Sequence, residues 1–218
     1  SLVHEHSRSL TRMPVRALYE DMTTVKVSVA TGQISSRTMY HHGEQAMAEA
    51  IVVMATDYCG ASNINLLLPA GSYGSRHLHR AAAPRYIETC LNDPLQTLLY
   101  PIADDPVHTY LTDEGVSIEP DKYVPVIPTV LATGARGIAT GFSTKCPQYH
   151  PVHIVDASLA WLGDTNPPDL DPWYRGFGGI IERIDAGEYV MRGTYEWHGD
   201  DLHITEVPCT TETESYEE

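Results

Sequence analysis

The chain has 218 residues, 42% of them hydrophobic and 20% charged, which excludes a disordered polymer and leaves enough length to bury the core of one large or two small domains. No run of about 18 apolar residues exists, so no transmembrane helix is expected. Fourteen Lys and Arg against 29 Asp and Glu give a net charge of −15, which argues against a nucleic-acid partner if the charge is spread evenly.

The charge is uneven. Residues 1–125 hold 14 acids and 9 bases, residues 126–218 hold 15 and 5, and the window Arg76–Arg85 carries three arginines and no acid. The opening residue is Ser1 and no secretory leader follows it, as in a segment of a longer protein. Cys59, Cys90, Cys146 and Cys209 form no C-x-x-C pair, so no metal site is expected and free thiols in a reducing, intracellular setting are.

In chain order, residues 1–24 read as a helix interrupted by Pro14, and Gly32 with Ser35-Ser36-Arg37-Thr38 as a turn. Met47, Ile51, Met54 and Tyr58 fall on one face of a second helix that starts at Gly43 and stops at Gly60. Asn63–Pro69 is short, strand-like or irregular, and leads to a loop at Gly71 and Gly74. Ala81-Ala82-Ala83-Pro84 reads as the start of a third helix with Ile87, Cys90 and Leu91 as its apolar face, broken at Asn92-Asp93-Pro94; a short helix with Leu95, Leu98 and Leu99 follows. Helices on short turns fit a helix-turn-helix or winged-helix body. Beyond Val124 the character changes: a proline-punctuated apolar run, a loop with Gly134, Gly137 and Gly141, and a helix through Val152, Val155, Leu159 and Leu162. A proline-rich acidic loop comes next, then a β-hairpin of 189–197 and 202–207. The division is placed at 1–124 and 125–218, giving an α+β chain.

Three clusters carry chemistry. Arg85-Tyr86 stands at an expected helix start, downstream of Arg76 and Arg80. A tyrosine ionises near pH 10, so as a nucleophile it needs flanking cations or a helix N-terminus. The same groups hold a phosphate, which makes a phosphodiester the natural electrophile. His41 and His42, in Tyr40-His41-His42-Gly43-Glu44, suit a general base or a phosphate ligand, although adjacent histidines more often face solvent or cap backbone. Ile138 sits in a glycine loop beside Arg136, an apolar wedge next to a cation of the kind that DNA-kinking proteins insert between base pairs, with burial in the core as the plainer alternative.

The strings VKV (25–27), YHHGE (40–44), SNINLLLP (62–69), GSR (74–76), AAAPRYIET (81–89), DDP (104–106), GARGIATGFST (134–144) and ITEVP (204–208) occur in that order. Together they resemble the type IIA DNA topoisomerases of the eukaryotic and viral type, over nearly the whole chain from Val25. The resemblance implies a winged-helix domain followed by part of a mixed α/β tower domain. It implies that Tyr86 attacks a DNA phosphodiester to give a 5′-phosphotyrosine, that Arg85 stabilises the phosphoryl group, that His41 and His42 lie near that site and that Ile138 bends the duplex. Arg76, Arg80, Lys26 and Arg136 are placed against DNA. It further implies double-stranded DNA and a homodimer partner, no membrane, and Mg²⁺ and ATP bound by parts of the parent protein outside this chain. The location implied is the nucleus for a cellular source and the viral factory or virion for a viral one. Two departures stand out: the loop before Tyr86 is shorter than usual, with His79-Arg80 where a glycine-rich Lys-Asp stretch is common, and Arg136 takes a position usually held by Glu. The rival expectation is a DNA-binding module that keeps the fold without catalysis.

Overall fold

In the computed structural model the described residues are 24–217. The expected helix over 1–24 therefore falls almost wholly outside them. The chain forms two compact units: Ser1–Asp57, Asn65–Tyr73 and Arg80–Val126 make the first, and Tyr58–Ile64, Gly74–His79 and Ile127–Glu218 the second. The last passage between them lies two residues beyond the expected division at 124. The short segments 58–64 and 74–79, expected in the first domain, cluster with the second.

In the first unit, strand β1 (Val25–Lys26) runs directly into helix α1 (Val27–Arg37), and helix α2 (Glu44–Ala55) follows. Val27, Ala30, Thr31 and Ile34 make the buried stripe of α1; Met47, Ala48, Ile51 and Ala55 make that of α2. The expected turn at Gly32 is instead part of α1. Gly32 lies on the exposed face, where a helical glycine costs about 1 kcal/mol relative to alanine, less than burial of that stripe returns. The helix stops where the Thr38 hydroxyl donates to the Ile34 carbonyl at 2.7 Å and Met39 turns to φ +50°.

Strands β2 (Leu67–Ala70) and β3 (Glu88–Leu91) complete an antiparallel sheet in the order β1-β3-β2. The third helix expected from Ala81 is not formed. Ile87, Thr89 and Leu91 are buried while Glu88 and Cys90 are only partly so, a period of two that suits a central strand paired on both edges. Ile87, Leu91 and Leu67 join the two helical stripes and Tyr73 in one core. Helix α3 (Asp93–Leu99) has Pro94 in its first turn, so the expected breaker opens a helix. A 3₁₀ turn (Ile102–Val107) and a hairpin of β4 (Tyr110–Asp113) and β5 (Val116–Pro120) end the unit. A helix pair on a small antiparallel sheet with a hairpin is consistent with the winged-helix body.

In the second unit, helix α4 (Thr129–Thr133) leads to a hairpin of β6 (Ala135–Ala139) and β7 (Phe142–Cys146), then helix α5 (Pro151–Leu162) capped at Gly163. Two more hairpins follow, β8 (Ile180–Asp185) with β9 (Glu188–Arg192), and β10 (Thr194–His198) with β11 (Asp201–Glu206). A final short helix, α6, spans Thr213–Glu217. The single strand expected over 189–197 is broken at Gly193, where any Cβ would collide with the Glu206 carbonyl, so the chain bends and changes partner. Buried Asn63 fastens residues 58–64 into this unit: its amide donates to the carbonyls of Tyr149 (3.1 Å) and Trp173 (2.8 Å), and its oxygen accepts from the Arg175 amide (2.8 Å).

Candidate active site and nucleic-acid interface

Tyr86 closes a turn rather than opening a helix. Its amide donates to the Ala83 carbonyl at 2.8 Å, while the Ser28 amide donates to Pro84 and that of Val27 to Ile87, at 3.2 and 3.0 Å. The turn is thus pinned to the start of α1. Ile87 is driven inward and 1% exposed, so its neighbour Tyr86 is turned outward and 70% exposed. No helix dipole therefore acts on Tyr86 from its own segment; the adjacent cation is Arg85, whose guanidinium carbon stands 4.8 Å from the centre of the Tyr86 ring. Exposure, a rigid turn and a neighbouring guanidinium suit a phenol that must meet a phosphodiester on a large substrate.

Lys26 is exposed on β1, cross-strand from Glu88, and Arg80, six residues before Tyr86, is exposed as well. His41 and His42 lie between α1 and α2. Nε2 of His41 is 3.1 Å from a carboxylate oxygen of Asp113, at the end of β4, and the His41 side chain is 80% exposed. In the neutral imidazole, donation from Nε2 to that carboxylate leaves Nδ1 as the acceptor. His42 meets the Tyr40 ring edge-on at 5.2 Å, and burial raises the pKa of the Tyr40 hydroxyl. The structure groups Arg85 with Tyr86 and His41 with Asp113.

Arg76 has surroundings that the sequence does not suggest. Its guanidinium donates to the Glu206 carboxylate at 2.9 Å, to the Thr211 carbonyl at 2.7 Å and to the Val207 carbonyl. The other Glu206 oxygen accepts from the Gly178 amide at 3.2 Å. The donors expected to face DNA are turned onto the protein, and the side chain is only 21% exposed. The Thr213 and Glu214 amides add bonds to the carbonyls of Arg76 and His77. His79 stacks on Tyr58 with ring centres 4.7 Å apart, and its amide donates to Glu212. Burial lowers the His79 pKa against the pull of Glu212 in the opposite direction, so the ring favours its neutral form.

Ile138 is 74% exposed near the tip of the β6–β7 hairpin, which turns at Thr140-Gly141 with Gly141 at φ +78°. It faces outward, against the core alternative. The register pairs Ile138 with Ser143 and Arg136 with Lys145, so these four share one face. Phe142, 81% exposed, is on the other. Sequence reasoning misses Asp113, Glu206 and Lys145. Of these, Lys145 is within its reach: it mirrors Arg136 across the Thr140-Gly141 turn.

Residues 12–218 match the family of the DNA gyrase/topoisomerase IV A-subunits, and the chain belongs to that family. Among curated relatives, DNA topoisomerase 2 of Arabidopsis thaliana is 43% identical over 199 residues, covering 88% of this chain and 13% of the relative. DNA topoisomerase 2 of Saccharomyces cerevisiae is 40% identical over 197 residues, with 89% and 14% covered. That of Acanthamoeba polyphaga mimivirus is 40% identical over 195 residues, with 88% and 15% covered. The chain therefore spans about one seventh of the length of these relatives. The crystal structure of the Plasmodium falciparum topoisomerase II DNA-binding, cleavage and re-ligation domain superposes with a TM-score of 0.87 at 34% identity, covering 97% of this chain and 29% of that one. Likeness at that level confirms the mixed helix-and-sheet architecture.

Proposed function

We propose that this chain is the DNA-gate segment of an ATP-dependent type II topoisomerase, with Tyr86 as its nucleophile. The observation that carries the reading is the Arg85-Tyr86 turn: a phenol 70% exposed under its own guanidinium, in a chain of this family. The Tyr86 oxygen forms a bond to a backbone phosphorus as the bond from phosphorus to the 3′ oxygen breaks. The phenolic proton ends on the released 3′ hydroxyl, and one phosphodiester has replaced another. Arg85 holds the non-bridging oxygens as charge builds on them. His41, with Nδ1 open, suits transfer of the phenolic proton or a bond to a phosphate oxygen. Re-ligation is the same step reversed, so cleavage and resealing need no external energy and ATP is left for moving the second duplex.

Among the described residues no three carboxylate, imidazole or thiol groups converge to hold a metal ion. Mg²⁺ and ATP, which the family resemblance implies, are assigned to other parts of the parent protein, and no step here passes through either. A homodimer partner fits a double-strand break, which needs two tyrosines. The exposed Ile138 tip is assigned to bending the duplex, and Lys26 and Arg80 to its backbone.

The test uses the full-length protein, Mg²⁺ and end-labelled duplex, denatured and examined for label on protein, with Tyr86→Phe in parallel. Label on the wild type alone is the expected result. Label retained in Tyr86→Phe would overturn the assignment, and no label in either with binding intact would favour the non-catalytic DNA-binding module.

A further inference from the structure

The second unit is acidic, and most of its cations are already engaged. Arg76 is held by Glu206, Arg183 by Asp169 and Asp171, and Arg192 by Glu182; Arg175 is engaged as well. Arg136 and Lys145 are different. Both are exposed, and neither has an ion-pair partner among the described residues. They are also direct cross-strand partners on the β6–β7 hairpin. Like charges placed opposite one another disfavour strand pairing, and an acidic segment had carboxylates available to relieve them. Two bare cations kept side by side on the face that presents Ile138 are a pairing that an external anion would relieve.

We infer that Arg136 and Lys145 form a two-pronged grip on the backbone phosphates of duplex DNA flanking the Ile138 wedge, and that Lys145 is a DNA-binding residue in its own right. The inference rests on the reading of this hairpin as DNA-facing. An apolar wedge unstacks bases only if the duplex is held against it, and phosphate contacts beside the wedge supply that hold. The alternation of the strand does the positioning: Arg136 and Ile138 are two residues apart on β6, and Ser143 and Lys145 two apart on β7, so cation and wedge emerge on one side.

The test is the salt dependence of affinity of the full-length protein for a gate-length duplex, with bending followed by energy transfer between duplex ends. For each phosphate that a variant no longer neutralises, the slope of log K against log salt falls by about 0.9. Between 50 and 200 mM salt, Lys145→Gln should therefore lose about 3.5-fold less affinity than the wild type does. Arg136→Gln is expected to behave alike, and Lys145→Arg to keep the wild-type slope. Ile138→Ala is expected to keep the slope and lose bending. An unchanged slope in Lys145→Gln, with bending lost in Ile138→Ala, would overturn the inference and leave the function standing. Unchanged slopes in both charge variants with unchanged bending in Ile138→Ala would overturn the DNA-facing reading itself. Thermal unfolding of Lys145→Gln without DNA separates either result from misfolding, since removing a like-charge neighbour should not lower stability.

Discussion

Replacing Arg76 with Ala should loosen the loop of residues 74–79 from the segment 206–214 and leave DNA phosphate contacts untouched. Three acceptors lose their donor at once: the Glu206 carboxylate and the carbonyls of Val207 and Thr211. Hydrogen bonds to charged groups contribute about 1.5–3 kcal/mol each, and removing one partner of a fully buried pair costs about 3–5 kcal/mol. Here both side chains are about one-fifth exposed, so water recovers part of the loss. A net cost of about 2 kcal/mol results, equivalent to roughly 30-fold at 1.36 kcal/mol per decade. The assay is native-state hydrogen exchange on the amides of Gly178, Thr213 and Glu214, which donate to Glu206, Arg76 and His77. They should exchange roughly 30-fold faster in Arg76→Ala, with Arg76→Lys intermediate because an ammonium cannot span three acceptors. Unchanged exchange at these amides, together with a lower salt slope for DNA binding, would refute the bracing role and return Arg76 to the DNA surface.

Burial pushes the Glu119 carboxyl up to about 7 from 4.5. A raised acid binds its proton more tightly in the folded state, so stability is full below pH 4.5, falls between pH 4.5 and 7 as only the unfolded chain ionises, and is level above. Glu119→Gln should therefore raise stability at pH 8, read from the urea midpoint, by about 2 kcal/mol after allowance for partial exposure, and leave it unchanged at pH 4; equal effects at both would contradict this. Ile138→Ala should reduce duplex bending in energy transfer while the fold, which Ile138 does not help bury, melts as before. Gly193→Ala should destabilise the second unit by about 1–3 kcal/mol in denaturant unfolding, since its methyl meets the Glu206 carbonyl.

The residues with distinctive chemistry are legible because their signal is local. Arg85, Tyr86, the histidine pair and the Ile138 loop are each contiguous strings, and the structure exposes both Tyr86 and Ile138. The misreadings have physical causes. Ile87, Cys90 and Leu91 fit a helical spacing as well as Ile87, Thr89 and Leu91 fit a strand, and only the sheet partners β1 and β2 decide between them. Gly32 reads as a turn until the stripe from Val27 to Ile34 is seen to bury. Arg76 reads as a free cation because Glu206 lies 130 residues downstream. That distance is invisible to any window of sequence.

The same separation has a consequence during synthesis. At about 5–20 residues per second, the ribosome delivers Glu206 roughly 7–26 s after Arg76. Helix and hairpin formation takes microseconds, so the stretches of the first unit, complete by Val126, have time to gather their core before any acceptor for Arg76 exists. For that interval the nascent chain carries Arg76 as an unclaimed cation, and for a shorter one, until Tyr149 and Trp173 are made, Asn63 as an unclaimed amide, so segments 58–64 and 74–79 wait in turn for their hosts. A stall or truncation between Val126 and Tyr149 would leave a chain with its first core in place and both stretches of polypeptide without their hosts, a species that quality-control proteases would meet at those two loops.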